Sequence, residues 1–156
     1  MATWAQLRAA IKTELDTVAN VGKTHGYERY ASDWANFLGH FKDGTGIVRG
    51  WTIHRETMAV EINALDQPNM RLDQTVAVVL RGYMGLNDSG DTQATFDALL
   101  DTVMAAFNGQ PSLHADVRLI GPCQLQRNEW RNFGGVLCHY CEIAIPILAE
   151  TTVAIG

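Results

Sequence analysis

The chain carries near its middle the stretch Gln74-Thr75-Val76-Ala77-Val78-Val79-Leu80-Arg81-Gly82-Tyr83-Met84. Valine and leucine occupy both alternating sets of positions in it, whereas a strand with one face in water alternates apolar and polar residues. β-branched residues also favour extended backbone. We therefore expect the central and most buried strand of a sheet here, covered on both sides.

Two segments before this strand have the periodicity of amphipathic helices. The first runs from Thr3, a plausible N-cap, to about Ala19, and should end near Asn20-Val21-Gly22. The second is short and ends at Lys42-Asp43-Gly44. Its apolar positions are Trp34, Phe37, Leu38 and Phe41. Because these aromatic residues lie at core-facing spacing, we expect them to pack rather than to bind a ligand.

The period changes to two from residue 47, which predicts strands over residues 47–54 and 58–62. Between them, Arg55-Glu56-Thr57 is either a tight turn or a bulge within one long strand. Residues 63–71 are polar, include a proline and have no period. We expect a mobile loop there.

The second half of the chain predicts one more helix and further strands. The helix extends from about Asp91 to Asn108-Gly109. Short alternating runs at 117–120 and 123–127 and a long one at 136–149 predict strands. In the long run, Leu137, Cys141, Ile143, Ile145 and Ile147 share a face that only His139 interrupts.

Pro146 complicates the last strand because proline has no N–H to donate. The strand should therefore lie at an edge there or end its pairing near Ile145. Together these elements predict a single α+β domain over residues 1–156. Its sheet should be mainly antiparallel and flanked by two longer helices and one short helix, with the first and third helices on one face.

Composition excludes several classes of protein. No window approaches the roughly 18 to 20 uninterrupted apolar residues of a membrane span, and the N-terminus does not have the pattern of a signal peptide. We expect a soluble chain made in the cytoplasm. Twelve basic and seventeen acidic residues give a net charge of -5, the wrong sign for holding phosphates, so specific nucleic-acid binding is not expected. An acidic surface suits DNA that passes without sticking, although solubility alone also favours this charge.

Cys138-His139-Tyr140-Cys141 is the one string that suggests metal or redox chemistry. On a strand, however, residues three apart point to opposite faces with Cα atoms about 10 Å apart, whereas a disulfide needs about 4.4 to 6.8 Å. Cys123 has no partner at metal spacing. The five histidines accompany no hydrolase motif. We predict no catalytic, metal-binding or cofactor-binding residues.

Three arginines lie beside aromatic residues in a composition typical of interface anchors. They are Arg81, Arg127 and Arg131, and the aromatic residues are Tyr83, Trp130 and Phe133. Surface arginines with satisfied side chains are the simpler interpretation for each one.

Two segments resemble the small tail terminator, or tail completion, proteins of long-tailed bacteriophages and prophages. They are Leu80-Arg81-Gly82-Tyr83-Met84-Gly85-Leu86-Asn87-Asp88 and Phe133-Gly134-Gly135-Val136-Leu137-Cys138-His139-Tyr140-Cys141-Glu142-Ile143. The likeness includes Gly26-Tyr27-Glu28-Arg29-Tyr30 with Asp33-Trp34, Arg49-Gly50-Trp51 and the helix after Asp88, but residues 113–127 are hard to match. It covers most of the chain.

The resemblance implies a structural role without catalysis. Such proteins form a ring, typically a hexamer, that caps the tail tube, stops the addition of tube subunits and offers a surface for the head or neck. The implied partners are other copies of the chain, the tail tube protein and the head–tail connector, with DNA passing through the ring and no membrane. The implied location is the host cytoplasm during assembly and then the virion tail.

A ring needs two different contact patches on each subunit. We expect them in residues 66–71 and around the two resembling segments. The candidate contact residues are Asp66, Gln67, Asn69, Met70, Arg71, Tyr83, Met84, Leu86, Arg131, Asn132 and Phe133. Two alternatives remain open: another small ring protein of the neck or tail, and a small cytoplasmic α+β enzyme or ligand-binding domain.

Overall fold

The computed structural model describes residues 1–29, 31, 33–66, 68–109 and 113–155. Along these residues the elements are α1 Trp4–Asp16, β1 Lys23–His25, α2 Trp34–Phe41, β2 Arg49–Asp66, β3 Asn69–Gly85, α3 Thr92–Phe107, β4 Val117–Ile120, β5 Gln124–Phe133 and β6 Val136–Ala154. The three helices contain 13, 8 and 16 residues. None of the described helices is long and apolar enough to cross a membrane.

All six strands belong to one sheet with the order β1-β2-β3-β6-β4, and β5 pairs with the first half of β6. β1 runs parallel to β2, and every other neighbouring pair is antiparallel. The predicted α+β fold with a mainly antiparallel sheet is therefore confirmed. β3 has a strand on each side, as residues 74–84 predict.

The sheet has two unlike faces, because successive residues of a strand point to opposite sides. One, called here the α1/α3 face, includes Trp51 and Leu80 and packs against α1 and α3 in the main hydrophobic core. The other, the α2 face, includes Thr52 and Arg81 and is covered in part by α2. The first and third helices thus pack on the same face, as predicted.

α1 begins where the sequence predicts and ends earlier. Thr3 and Gln6 form a capping box, in which the Thr3 hydroxyl accepts from the Gln6 amide at 3.2 Å and Gln6 Oε1 accepts from the Thr3 amide at 2.8 Å. The helix ends at Asp16, because both the amide and the hydroxyl of Thr17 donate back to carbonyls of the last turn. Gly22, the expected end, has a φ of +82° in the turn before β1.

β2 is one long strand with bulges. The register with β3 shifts between Arg55 and Thr57 and again between Ile62 and Ala64. Residues 55–57 therefore form a bulge and not a turn, which resolves the alternative left open by the sequence.

The expected mobile loop over residues 63–71 is wrong. β2 extends to Asp66 and β3 begins at Asn69, so residues 63–66 and 69–71 belong to the end of a hairpin. Met70 pairs with Leu65 on one side and with Val153 on the other. The bulge breaks the period of two that marks a strand in the sequence. Pairing with β3 holds residues 64–66 extended, and pairing with β6 holds residues 69–71 extended.

The expectation that pairing ends near Ile145 is wrong, because β6 stays paired with β3 to Ala154. The alternative, an edge at Pro146, holds locally on the other side of β6, where β5 pairs only as far as Ala144 and β4 only from Ile147. The carbonyl oxygen of Pro146 accepts a hydrogen bond from the Gly121 amide at 2.9 Å. In an antiparallel strand the N and O atoms of one residue point to the same side. The missing N–H of Pro146 therefore faces the connection between β4 and β5, where no ladder bond is needed.

Candidate functional site

The end of the β2–β3 hairpin, called the hairpin tip, contains four predicted contact residues: Asp66, Asn69, Met70 and Arg71. Met70 is half-buried and the other three are exposed. Asp66 Oδ2 and Arg71 Nη2 form an ion pair at 3.2 Å, an exposed contact that contributes little to stability. Gln67 lies outside the described residues. The tip is therefore a polar end that is free to contact another molecule.

Next to the tip, β2 presents an uncovered apolar row, called here the distal strip. It consists of Met58, Val60, Ile62 and Leu65, with exposed fractions of 45%, 41%, 61% and 64%. These residues pair with Val76, Gln74, Leu72 and Met70, which places them on the α1/α3 face. The two helices leave this end of the sheet bare. A contiguous apolar surface of this kind is typical of protein–protein contact sites.

The outer edge of β2 is also open along the distal strip. β1 pairs only with Gly50, Trp51 and Thr52. Beyond Thr52, β2 has no outer strand partner in the described part of the chain. An unpaired edge leaves backbone donors and acceptors available to another chain.

On the α2 face, aromatic rings surround a second surface, called here the aromatic cleft. Phe37 stacks on Phe133 with centroids 5.5 Å apart, and Tyr83 contacts Phe41 at 4.6 Å. The cleft has a volume of about 310 Å³, near the lower end of the range of ligand pockets. Burial raises the pKa of Tyr83, which stays protonated. The cleft thus offers apolar walls and a neutral phenol.

Charged residues in a chain of ion pairs border the aromatic cleft. Arg81 contacts Glu28, and its Nε lies 3.7 Å from Glu142 Oε1. Glu142 Oε2 lies 3.2 Å from Arg127 Nε, and Glu142 Oε1 accepts a hydrogen bond from the Tyr140 hydroxyl at 2.6 Å. The alternation of charge across the strands fixes the guanidinium of Arg81 at the edge of the cleft.

Thr52 is a buried polar residue in the wall of the aromatic cleft. It is 1% exposed, and its hydroxyl has no hydrogen-bond partner among the described residues. In register it lies between His25 and Arg81. An unpaired buried hydroxyl costs about 1–3 kcal/mol. A group entering the cleft with a hydrogen bond for this hydroxyl would therefore be stabilised.

The remaining predicted contact residues divide between the two faces. Tyr83, Asn132 and Phe133 line the aromatic cleft together. Arg131 lies near it and stacks over the Tyr140 ring at 4.3 Å. Their common position comes from pairing of distant strands, which spacing in the sequence does not reveal.

Met84 and Leu86 lie elsewhere. Met84 is 4% exposed and belongs to the main core on the α1/α3 face, so the structure does not support it as a contact residue. It alternates with Tyr83, and neighbouring strand residues point to opposite faces. Leu86 is half-buried and lies near Trp130, which is 67% exposed. Trp130 is the most exposed of the described large apolar side chains.

The cysteines lie in the interior. Cys138 packs with α2 and Cys141 packs in the main core, which confirms the prediction that they point to opposite faces. Burial raises the pKa of Cys123 to about 11 and that of Cys138 to about 12. It also raises the pKa of Cys141. These thiols are therefore protonated at neutral pH and are poor nucleophiles.

Sequence reasoning did not identify the distal strip or Thr52 as parts of a site. The alternation of Met58, Val60 and Ile62 was read correctly as a strand. The same alternation occurs in a strand whether its apolar face is buried or exposed, so it does not predict that these side chains are exposed. Thr52 is an ordinary strand residue until its neighbours are known.

The fold and the two surfaces define a class of protein: an α+β domain on one sheet with unlike uncovered surfaces on opposite faces. No protein-family model matches the chain, and no curated protein is significantly similar to it.

Proposed function

We propose that the chain is a structural virion protein that caps the tail tube of a long-tailed phage as a closed ring. In this role it ends tube growth and provides the docking surface for the head or neck. The proposal combines the resemblance of residues 80–88 and 133–143 to tail terminators with the unlike surfaces on the two faces of the sheet. It requires no catalysis.

The distal strip is the observation that carries the proposal. Four large apolar side chains lie bare beside an open strand edge, an arrangement that favours aggregation unless another chain covers it. A partner surface that buries the strip accounts for its composition. The polar hairpin tip beside it matches the polar rim of such contacts.

The aromatic cleft supplies a second, different patch on the opposite face. A twofold dimer would bury the same patch on both subunits, whereas a ring joins two unlike patches, head to tail. The α1/α3 face of one subunit would then lie against the α2 face of the next. At the end of the sheet that carries the distal strip, the opposite α2 face has small side chains, namely Ala77, Ala144 and Pro146. They permit close approach of the neighbouring subunit's α1/α3 face.

Native mass tests the proposal. We expect light scattering over a concentration series to give a closed species near six subunits, and negative-stain images to show a ring. Ile62→Asp should shift the mass to the monomer, because it places a charge in the apolar contact. Ile47→Asp is the matched control, since Ile47 is 49% exposed in a loop away from the strip.

Two outcomes would oppose the ring. A compact twofold dimer would point to the enzyme or ligand-binding alternative, and a wild-type mass that Ile62→Asp leaves unchanged would remove the distal strip from the contact. A ring with a different docking partner would favour another neck or tail ring protein. Binding to purified tail tubes distinguishes that case.

A further inference from the structure

We infer that the aromatic cleft receives the side chain of Trp130 from a second copy of the chain. The inference rests on the proposed ring and names one contact within it. It assigns the cleft an occupant with an aromatic ring and a single hydrogen-bond donor.

The chemistry of the cleft selects such a group. Phe37, Phe41 and Phe133 supply apolar ring surfaces, against which another ring packs favourably. Thr52 lies in the wall and is 1% exposed, and its unpaired hydroxyl can accept one hydrogen bond. The guanidinium of Arg81 can lie over a π face. An indole provides the ring, the π face and the N–H donor together.

Among the side chains that the structure describes, Trp130 best matches these requirements. Its side chain is 67% exposed, and it pairs in register with His139, which places it on the α1/α3 face. The cleft lies on the α2 face. Trp130 and the aromatic cleft are therefore on opposite faces of the sheet, so the Trp130 side chain of a subunit cannot enter the cleft of the same subunit. The contact must join unlike patches of two subunits, head to tail.

Binding energy also favours Trp130 as the occupant of the aromatic cleft. Tryptophan is enriched among the few residues that dominate binding energy at protein interfaces, where it lies in a desolvated pocket. In the free subunit, the apolar area of the Trp130 ring stays in water and the buried Thr52 hydroxyl lacks a partner, and both are unfavourable. One contact between subunits removes both.

Two substitutions test the contact through the subunit dissociation constant, measured by analytical ultracentrifugation. Trp130→Ala should weaken association at least about thirtyfold, the effect of a strong interface residue. Because Trp130 is mostly exposed, the substitution should leave the fold intact. Ile47→Ala, at another exposed apolar residue, should leave association unchanged.

Thr52→Val gives a test in which two measurements move in opposite directions. Removing an unpaired buried hydroxyl should raise the thermal midpoint of the dissociated subunit, since valine has the same shape without the polar group. Association should weaken about fivefold, the effect of one lost hydrogen bond. If midpoint and association instead change in the same direction, or association does not change, Thr52 has no role in the contact and the inference fails.

A soluble probe tests the cleft independently of assembly. N-acetyl-tryptophanamide, titrated into the Trp130→Ala variant, should shift the amide NMR signals of Thr52, Arg81 and Phe133, whereas N-acetyl-leucinamide should not. No shift at millimolar probe overturns the inference. A shift combined with normal association of the Trp130→Ala variant overturns Trp130 of a second copy as the occupant and indicates a free aromatic ligand or another protein.

The failures of the two proposals are distinguishable. If the Trp130→Ala variant forms the ring with the dissociation constant of the wild type, the inference fails and the proposed function stands. If the wild-type chain forms no ring at any concentration or on tube ends, the proposed function fails, and with it the second copy as the occupant.

Discussion

Gly82 lies directly opposite Trp51 in the β2–β3 ladder, and the six-membered ring of Trp51 occupies the space that a side chain on Gly82 would need. A Cβ atom on Gly82 would lie 2.7 Å from that ring and 2.7 Å from Cys141 Sγ. Trp51 is fully buried. The glycine in the central strand therefore leaves the space that the largest core side chain occupies.

Gly82→Ala is expected to lower the free energy of unfolding by about 1–3 kcal/mol, because overpacking forces the indole or the strand to move. Urea unfolding measures the change. Gly39→Ala is the control, since Gly39 is helical and a Cβ there meets nothing within 4 Å. That variant should be stabilised by about 0.5–1 kcal/mol. Equal effects of the two substitutions would contradict the packing account.

Asp43→Asn should destabilise the fold in a pH-dependent way. Asp43 Oδ2 accepts from Arg49 Nη2 at 2.7 Å, and Oδ1 accepts from the Thr45 amide at 2.9 Å. Burial would raise the pKa of Asp43, but these hydrogen bonds outweigh it and hold the pKa well below the ordinary 3.8. We expect a loss of about 1–3 kcal/mol at pH 7.

The sign of the Asp43 effect follows from its lowered pKa. The stabilisation is complete above the unfolded value of about 4 and decreases as pH falls below it. The difference in free energy of unfolding between wild type and Asp43→Asn should therefore be constant from pH 8 to pH 5 and should decrease toward pH 3. Urea unfolding at each pH checks this, and a difference that is the same at pH 3 and pH 7 would refute it.

His139 should make the fold less stable in mild acid. It is 3% exposed, stacks on Phe96 at 5.4 Å, and its Nε2 lies 2.8 Å from Thr92 Oγ1. Burial lowers the pKa of His139 below the ordinary 6.5, and the charge of Asp97 opposes this only in part. The unfolded chain therefore binds the proton more readily, and stability decreases as pH falls below about 6.5.

The variant His139→Gln cannot take up this proton. The loss of unfolding free energy between pH 7.5 and pH 5.5 should therefore be smaller than in wild type. Burial also lowers the pKa of His25, so His25→Gln should reduce the loss further when combined with it. An unchanged pH dependence in His139→Gln would show that His139 is not a source of the acid sensitivity.

Glu142→Gln should lower the free energy of unfolding more than Arg127→Gln, which removes the exposed partner of Glu142. The side chain of Glu142 is 18% exposed and that of Arg81 is 30% exposed, whereas that of Arg127 is 54% exposed. We expect about 1–3 kcal/mol for Glu142→Gln, because a half-buried arginine loses a counter-charge, and about 0–1 kcal/mol for Arg127→Gln. A double-mutant cycle by urea unfolding should give the larger coupling for Arg81 with Glu142. A larger coupling for Arg127 would contradict this.

The elements with a strong period were predicted well. Thr3 caps α1, and α3 ends at Phe107 just before the expected Asn108-Gly109. β3 is central, as the apolar run at 74–84 indicates. In a helix or a strand, the period shows which residues share the apolar face of that one element. Residues close together in sequence are therefore enough to predict it.

The errors lie where pairing with distant strands overrides local signals. Residues 63–71 look like a loop, yet β3 and β6 hold most of them extended. Pro146 looks like a strand end, yet its missing N–H faces a gap between β4 and β5. Neither fact can be read from nearby residues, because the relevant partners are remote in the chain.

Local periodicity thus established the three helices, most of the strands and the α+β fold class. Strand order and the ends of the covering helices established the rest: the bare distal strip, the grouping of Tyr83 with Phe133, and the buried hydroxyl of Thr52. The physical reason is that the period of a helix or strand shows which of its residues share a face. Whether that face meets a helix, a cleft or water depends on contacts between residues far apart in sequence.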